Sequence, residues 1–142
     1  MAKVFNDGIL PVGFWTDEDL SAKQYRCVKA ASTADYVKLA DGASNPGPLG
    51  VLQDDNGASV GQAVAVKLFG FTKAIVAACD TEGNACPVAY GSYLKCGACG
   101  YFYKTGCCDI QQARAFGSVS TGSAILNVFF SGNIAACSGA GS

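Results

Sequence analysis

The 142-residue chain contains no histidine. That excludes a His-dependent general base, a Ser-His-Asp triad and a His-bound metal. It also lacks a Walker-type phosphate cradle and a GxGxxG loop. Charged residues make up only 15% of the chain, the net charge is -1, and no basic run or stripe is present. Binding that works by neutralising nucleic-acid phosphates is therefore not expected. Long hydrophobic runs are missing too. The longest, such as Ala74 to Cys79, fall far short of the ~18 residues that span a bilayer, so no membrane partner is expected. The start MAKVFNDGILPVGFW has no apolar run of signal-peptide length, which predicts synthesis and retention in the cytoplasm. Serine, lysine and tyrosine are plentiful but show no spacing that singles out a nucleophile. Asp54-Asp55 sits where a turn wants aspartate. No catalytic residue and no enzyme activity are expected.

What is present is β-forming sequence. Half the residues are apolar and 18 are glycine, a composition that suits short strands joined by tight turns. The stretch from Pro48 to Gly70 reads as a strand, a turn at Asp54-Asp55-Asn56-Gly57, and a second strand. In that second strand Val64, Val66 and Leu68 alternate with Ala63, Ala65 and Lys67, placing three bulky groups on one face. The plan recurs from Ala113 to Gly132. A shift of 62 places Leu126, Val128, Phe130 and Gly132 on Val64, Val66, Leu68 and Gly70. A shift of 64 places Arg114-Ala115-Phe116 on Gly50-Val51-Leu52, and Tyr101-Phe102-Tyr103 falls near Tyr36-Val37-Lys38. The expectation is a mainly β chain, a compact barrel or sandwich of two similar β units spanning 22–76 and 91–132. Two copies sharing a core differ from a solenoid, which needs more.

Residues 1–20 look unlike the rest. Gly8, Pro11 and Gly13 argue against a regular element. The expectation is an extended N-terminal arm on a single β domain of residues 21–142. Phe5, Ile9, Leu10, Phe14 and Trp15 are its candidate contact residues, either folding back on the body or docking on another molecule. Gln24 to Lys29 and Tyr36 to Leu39 read as a hairpin, Phe71 to Ala77 as a strand, and Gly91 to Lys104 as a second hairpin. Residues 134–142 trail into small residues and are expected to fray.

The order QYRCVK, DYVKLADG, PLGVLQDD, GQAVAVKLFGFTKAIV, GSYLKCGACGYFYKTG and ARAFGSVSTGSAILNVFFSG resembles the capsid cement, or decoration, proteins of tailed bacteriophages. The similarity covers most of residues 22–132 and rests on the order and spacing of β segments. It implies a compact β fold, a homotrimer, and a place on the exterior of an icosahedral virion, where the protein would bridge subunits of the major capsid protein and stabilise the shell. It carries no catalytic residues. An N-terminal arm contacting the shell would fit the opening residues.

Of the eight cysteines, the six that lie close together in sequence, Cys79, Cys86, Cys96, Cys99, Cys107 and Cys108, depart from that pattern. Three readings stay open. Disulfides are one, with Cys79–Cys86 the simplest pairing across a short turn, worth on the order of 2 to 3 kcal/mol if unstrained. Zinc held by Cys96, Cys99, Cys107 and Cys108 is the second, although adjacent strand residues point to opposite faces. Reduced, buried filler is the third. No other cofactor is expected. Cytoplasmic synthesis disfavours early oxidation, whereas a released virion meets air. Beside the capsid role, two alternatives follow: a disulfide-braced module of a secreted or surface fibre, and a zinc or redox module.

Overall fold

The computed structural model describes residues 10–42, 47–55, 57, 59–80, 82–106 and 110–132. Ten strands are present there: β1 (Val12–Thr16), β2 (Cys27–Ala30), β3 (Tyr36–Leu39), β4 (Pro48–Leu52), β5 (Ala63–Lys67), β6 (Gly70–Ala77), β7 (Tyr93–Cys96), β8 (Phe102–Lys104), β9 (Ala113–Ala115) and β10 (Ser123–Phe130). One 3₁₀ turn, Ala98–Gly100, is the sole helical element among the described residues. The strands close into two five-stranded barrels, β1-β3-β2-β4-β5 and β6-β8-β7-β9-β10. Closure removes the unpaired edges that an open sheet would present.

The second barrel repeats the first strand for strand. Each has one parallel pair, β1 with β3 and β6 with β8, and antiparallel pairs elsewhere. The registers match as well. Shifts of 60, 66, 65, 63 and 62 carry β1 to β5 onto β6 to β10. Thus Phe14↔Val64 becomes Ala74↔Leu126, Val28↔Leu39 becomes Leu94↔Lys104, and Thr16↔Val37 becomes Val76↔Phe102. The pair Leu52↔Val66 becomes Ala115↔Val128. The expected shift of 62 for the last strand is thus the observed one, while the strand before it matches at 63 and not at 64.

The expected arm is also revised. Val12–Thr16 is a barrel strand hydrogen-bonded between β3 and β5, despite Pro11 and Gly13. The reason is positional: Pro11 lies just outside the strand, and Gly13 faces outward with open space around it. Leu20 then plugs the first core, with its amide donating to the Gly57 carbonyl at 2.6 Å. Val88 does the same for the second barrel, with its amide donating to Val119 at 2.9 Å.

Two apolar clusters fill the barrels. Leu20, Val28, Val37, Leu52, Val64 and Val66 form the first. The second, built on Phe102, Phe130, Leu94, Val76 and Val128, also takes in Cys27, Ala40 and Val51 from the first barrel. Strands β2 and β4 are therefore buried on both faces: Val28 and Leu52 point into their own barrel, while Cys27 and Val51 point into the seam. Polar ties close that seam. The Ile75 amide donates to the Tyr25 carbonyl at 3.0 Å, and Gln53 Nε2 donates to Thr72 Oγ1 at 2.8 Å. Arg26 donates to the Cys99 carbonyl and to the Tyr101 hydroxyl, with its guanidinium 4.5 Å from the Tyr101 ring centre.

Candidate functional surface

The outer side of the second barrel carries the unusual chemistry. Alternation along β6 and β10 turns Phe71, Lys73 and Ile75 outward opposite Phe129, Asn127 and Ile125. Continuing around the barrel, Phe129 lies beside Arg114 on β9, and Arg114 beside Tyr93 on β7. The Arg114 guanidinium sits 5.2 Å from the Tyr93 ring centre, a favourable placement over an aromatic face. The rings form a chain of contacts, edge-on for Phe69 to Phe129 at 5.1 Å, Phe129 to Phe71 at 5.0 Å and Phe116 to Tyr90 at 5.9 Å, and tilted for Phe71 to Phe116 at 5.4 Å. Tyr90 is 72% exposed and Tyr93 41%. A continuous apolar face of this kind is the usual mark of an interaction surface.

The matching positions of the first barrel are different. Phe71, Phe116 and Phe129 correspond to Pro11, Gln53 and Lys67. Those three, with Tyr25, form one wall of an open groove of about 340 Å³ whose other wall is Phe71, Thr72, Lys73 and Asn127. Two lysines and four amide or hydroxyl groups line the groove beside Pro11 and Phe71.

The residues singled out from sequence fall into separate places. Phe5 and Ile9 lie outside the described residues, as do Cys107 and Cys108. Leu10 is strongly exposed, Phe14 packs against the first core, and Trp15 is 47% exposed. Cys79, Cys86, Cys96, Cys99 and Cys27 all carry free thiols, so no disulfide forms among the described residues. For Cys79 and Cys86 the register explains it. Cys79 stands opposite Ala85, and the Cys86 amide bonds to Ala78. The two cysteines are thus one position out of step, and their side chains leave on opposite faces. Among the described residues no three Cys, Asp or Glu side chains converge as a metal site. Cys27 and Cys96 meet in the buried seam, where burial first and the Cys96 thiol second push the Cys27 thiol well up. Burial, then the nearby Cys79 and Cys99 thiols, raises the Tyr103 hydroxyl in the same way.

Sequence reasoning missed the aromatic face. Its members come from β6, β7, β9, β10 and the loops at Phe69, Tyr90 and Phe116, so no local spacing joins them. The pattern of outward Phe71 and Phe129 was available only once the two strands were known to pair.

No family model matches the chain, and neither does any curated protein sequence. Among solved structures, it is similar to the N base of the head fiber protein gp8.5 of bacteriophage phi29, with a TM-score of 0.61 and 15% sequence identity over 88% of this chain and 97% of that one. At that identity the likeness is one of fold alone.

Proposed function

We propose that the chain is a structural protein of a bacteriophage virion, bound to the outside of an icosahedral head, where it bridges neighbouring copies of the major capsid protein as a cement, or decoration, protein. The observation that carries this reading is the fold likeness to a phage head-fiber base across nearly the whole chain. A broad aromatic face, with Phe69, Tyr90 and Tyr93 exposed and Phe71, Phe116 and Phe129 half-buried, supports a role in contact. The chain acts as a homotrimer, and its N-terminal residues, now limited to those before β1, reach the shell. The reading assigns no cofactor, nucleic-acid or membrane partner. Mechanistically, each copy contributes modest binding through buried apolar area, and many equivalent sites joined through one oligomer supply avidity.

The test mixes purified protein with cognate empty heads and sediments them. Saturable co-sedimentation at high copy number is expected, and a protein left in the supernatant at all concentrations overturns the reading. Deleting residues 2–9 should lower occupancy while leaving the circular dichroism unchanged, because β1 begins at Val12. Undiminished occupancy would remove the N-terminal residues from the contact.

A further inference from the structure

We propose that copies of this chain assemble head to tail, with the outer β7–β9 face of the second barrel seating on the β1–β3 side of the next copy's first barrel. That contact would repeat, between chains, the seam already formed within one chain. It deepens the self-association reading above by naming the two surfaces, and it concerns the free protein, independent of any shell.

The matched registers define the two surfaces. In the seam, the first barrel presents the outer face of β2 and β4: Cys27, Val51, Arg26 and Gln53. These meet the β6–β8 side of the second barrel at Thr72, Ile75, Gly100 and Tyr101. The strand shifts translate each half. The docking face becomes Tyr93, Arg114, Ser92 and Phe116 of the second barrel. The receiving side becomes Val12, Trp15, Asp35 and Tyr36 of the first.

Both translated surfaces carry exposed apolar groups. On the docking side Tyr93 and the neighbouring Tyr90 are exposed; on the receiving side Val12 is 44% and Trp15 47% exposed. The polar seam pair Gln53 and Thr72 translates into Phe116 and Val12, an apolar pair suited to an interface core.

Charge selects a second copy in this orientation. The docking face carries Arg114. The receiving side carries exposed Asp35, whose carbonyl accepts from the Trp15 amide at 2.8 Å, and the acidic run Asp17-Glu18-Asp19 that follows β1. Residues 10–69 hold seven acids and five bases, and residues 70–132 hold three acids and four bases. Face-to-face pairing of two aromatic surfaces would instead oppose Arg114 and Lys73 to their own copies, which costs affinity. A head-to-tail contact is heterologous, so it closes as a ring when its rotation permits.

Sedimentation velocity on the wild-type chain and on Tyr93→Glu and Trp15→Glu tests the proposal. The wild type should run at a multiple of 14.5 kDa above one. Each variant alone should run as a monomer, with unchanged circular dichroism. An equimolar mixture should form a two-chain complex, because each variant keeps one sound half of the contact. A monomeric wild type overturns the proposal, as does a Trp15→Glu protein that assembles normally, or a mixture that stays monomeric. Should either variant misfold, Tyr90→Glu and Val12→Glu repeat the same design at side chains exposed on the docking and receiving sides.

Discussion

The two barrels share strand order and register and differ in what they show on their outer faces. In the first barrel the outer β2–β4 face is small and buried, with Cys27 and Val51 at 0% exposure. In the second, the same two positions are Tyr93 and Arg114, both open to solvent. Inside, the correspondence is conservative, with Val28, Val37 and Val66 answered by Leu94, Phe102 and Val128. The interior is thus constrained by closure and packing, while each outer face follows its neighbour. Where the other barrel covers the face, small apolar residues fit; where solvent meets it, large amphipathic rings and a cation stand instead.

The largest effect should come from the core that joins the barrels. Phe102 is fully buried in the cluster that also holds Cys27 and Val51. Phe102→Ala should cost about 3 to 5 kcal/mol. Leu52→Ala, confined to the first core, should cost about 2 to 5 kcal/mol. The comparison sharpens through the single tryptophan, which lies on β1 and reports the first barrel alone. Urea unfolding followed by Trp15 fluorescence and by circular dichroism should give coincident midpoints, and Phe102→Ala should move both together. Separate transitions would mean that each barrel holds itself up and that the seam contributes little.

A smaller loss is expected at Gly100, where the 3₁₀ turn of the second barrel touches the first. Its φ of +73° is one that a side chain tolerates poorly, and an added Cβ would lie 2.7 Å from the Cys27 carbonyl oxygen. Gly100→Ala should cost on the order of 1 to 3 kcal/mol, since strain and a clash with backbone act together. Gly61 shares the positive φ but faces open space, so Gly61→Ala should cost about 1 kcal/mol. Equal losses at the two glycines in thermal unfolding would show that the seam yields freely.

Much of this architecture was legible in the sequence, and the exceptions have physical causes. The inward positions of β5 and β10, Val64 and Val66 against Leu126 and Val128, are bulky at every second residue, so their shift of 62 could be read directly. Strand β4 has Val51 and Leu52 both buried, one toward the seam and one toward its own barrel. Without alternation nothing fixes the register, and a slip of one residue goes unnoticed although it exchanges the faces. Strand β1 was hidden because only five residues separate Pro11 from Asp17, and because its counterpart Thr72–Val76 shares little with Val12–Thr16. The cysteines misled for a related reason: proximity in sequence says nothing of the phase at which side chains leave a turn.

The smallest expected effect lies at the turns that follow β1 and β6. Asp19 and Asp80 each stand three residues past a strand end and each brace a turn. Asp19 accepts from the Ser21 hydroxyl and amide, which lower its pKa in that order. Asp80 accepts from the Asn84 amide and side chain and from the Glu82 amide, which lower it likewise. Both carboxyls therefore hold their protons less tightly in the folded chain than in the unfolded one. The stability this supplies is complete above the unfolded value, about pH 3.9, and is lost as the pH falls through the lower folded value. The thermal midpoint should thus be flat from about pH 6 to 4.5 and decline below about pH 4. Both groups are fully exposed, so the decline is shallow. Asp80→Ala should remove more of it than Asp19→Ala, because the loop from Asp80 to Asn84 leans on three donors and that from Asp19 to Ser21 on a single residue. Identical acid limbs in the two variants would show that the two turns, for all their matching positions, are braced by backbone alone.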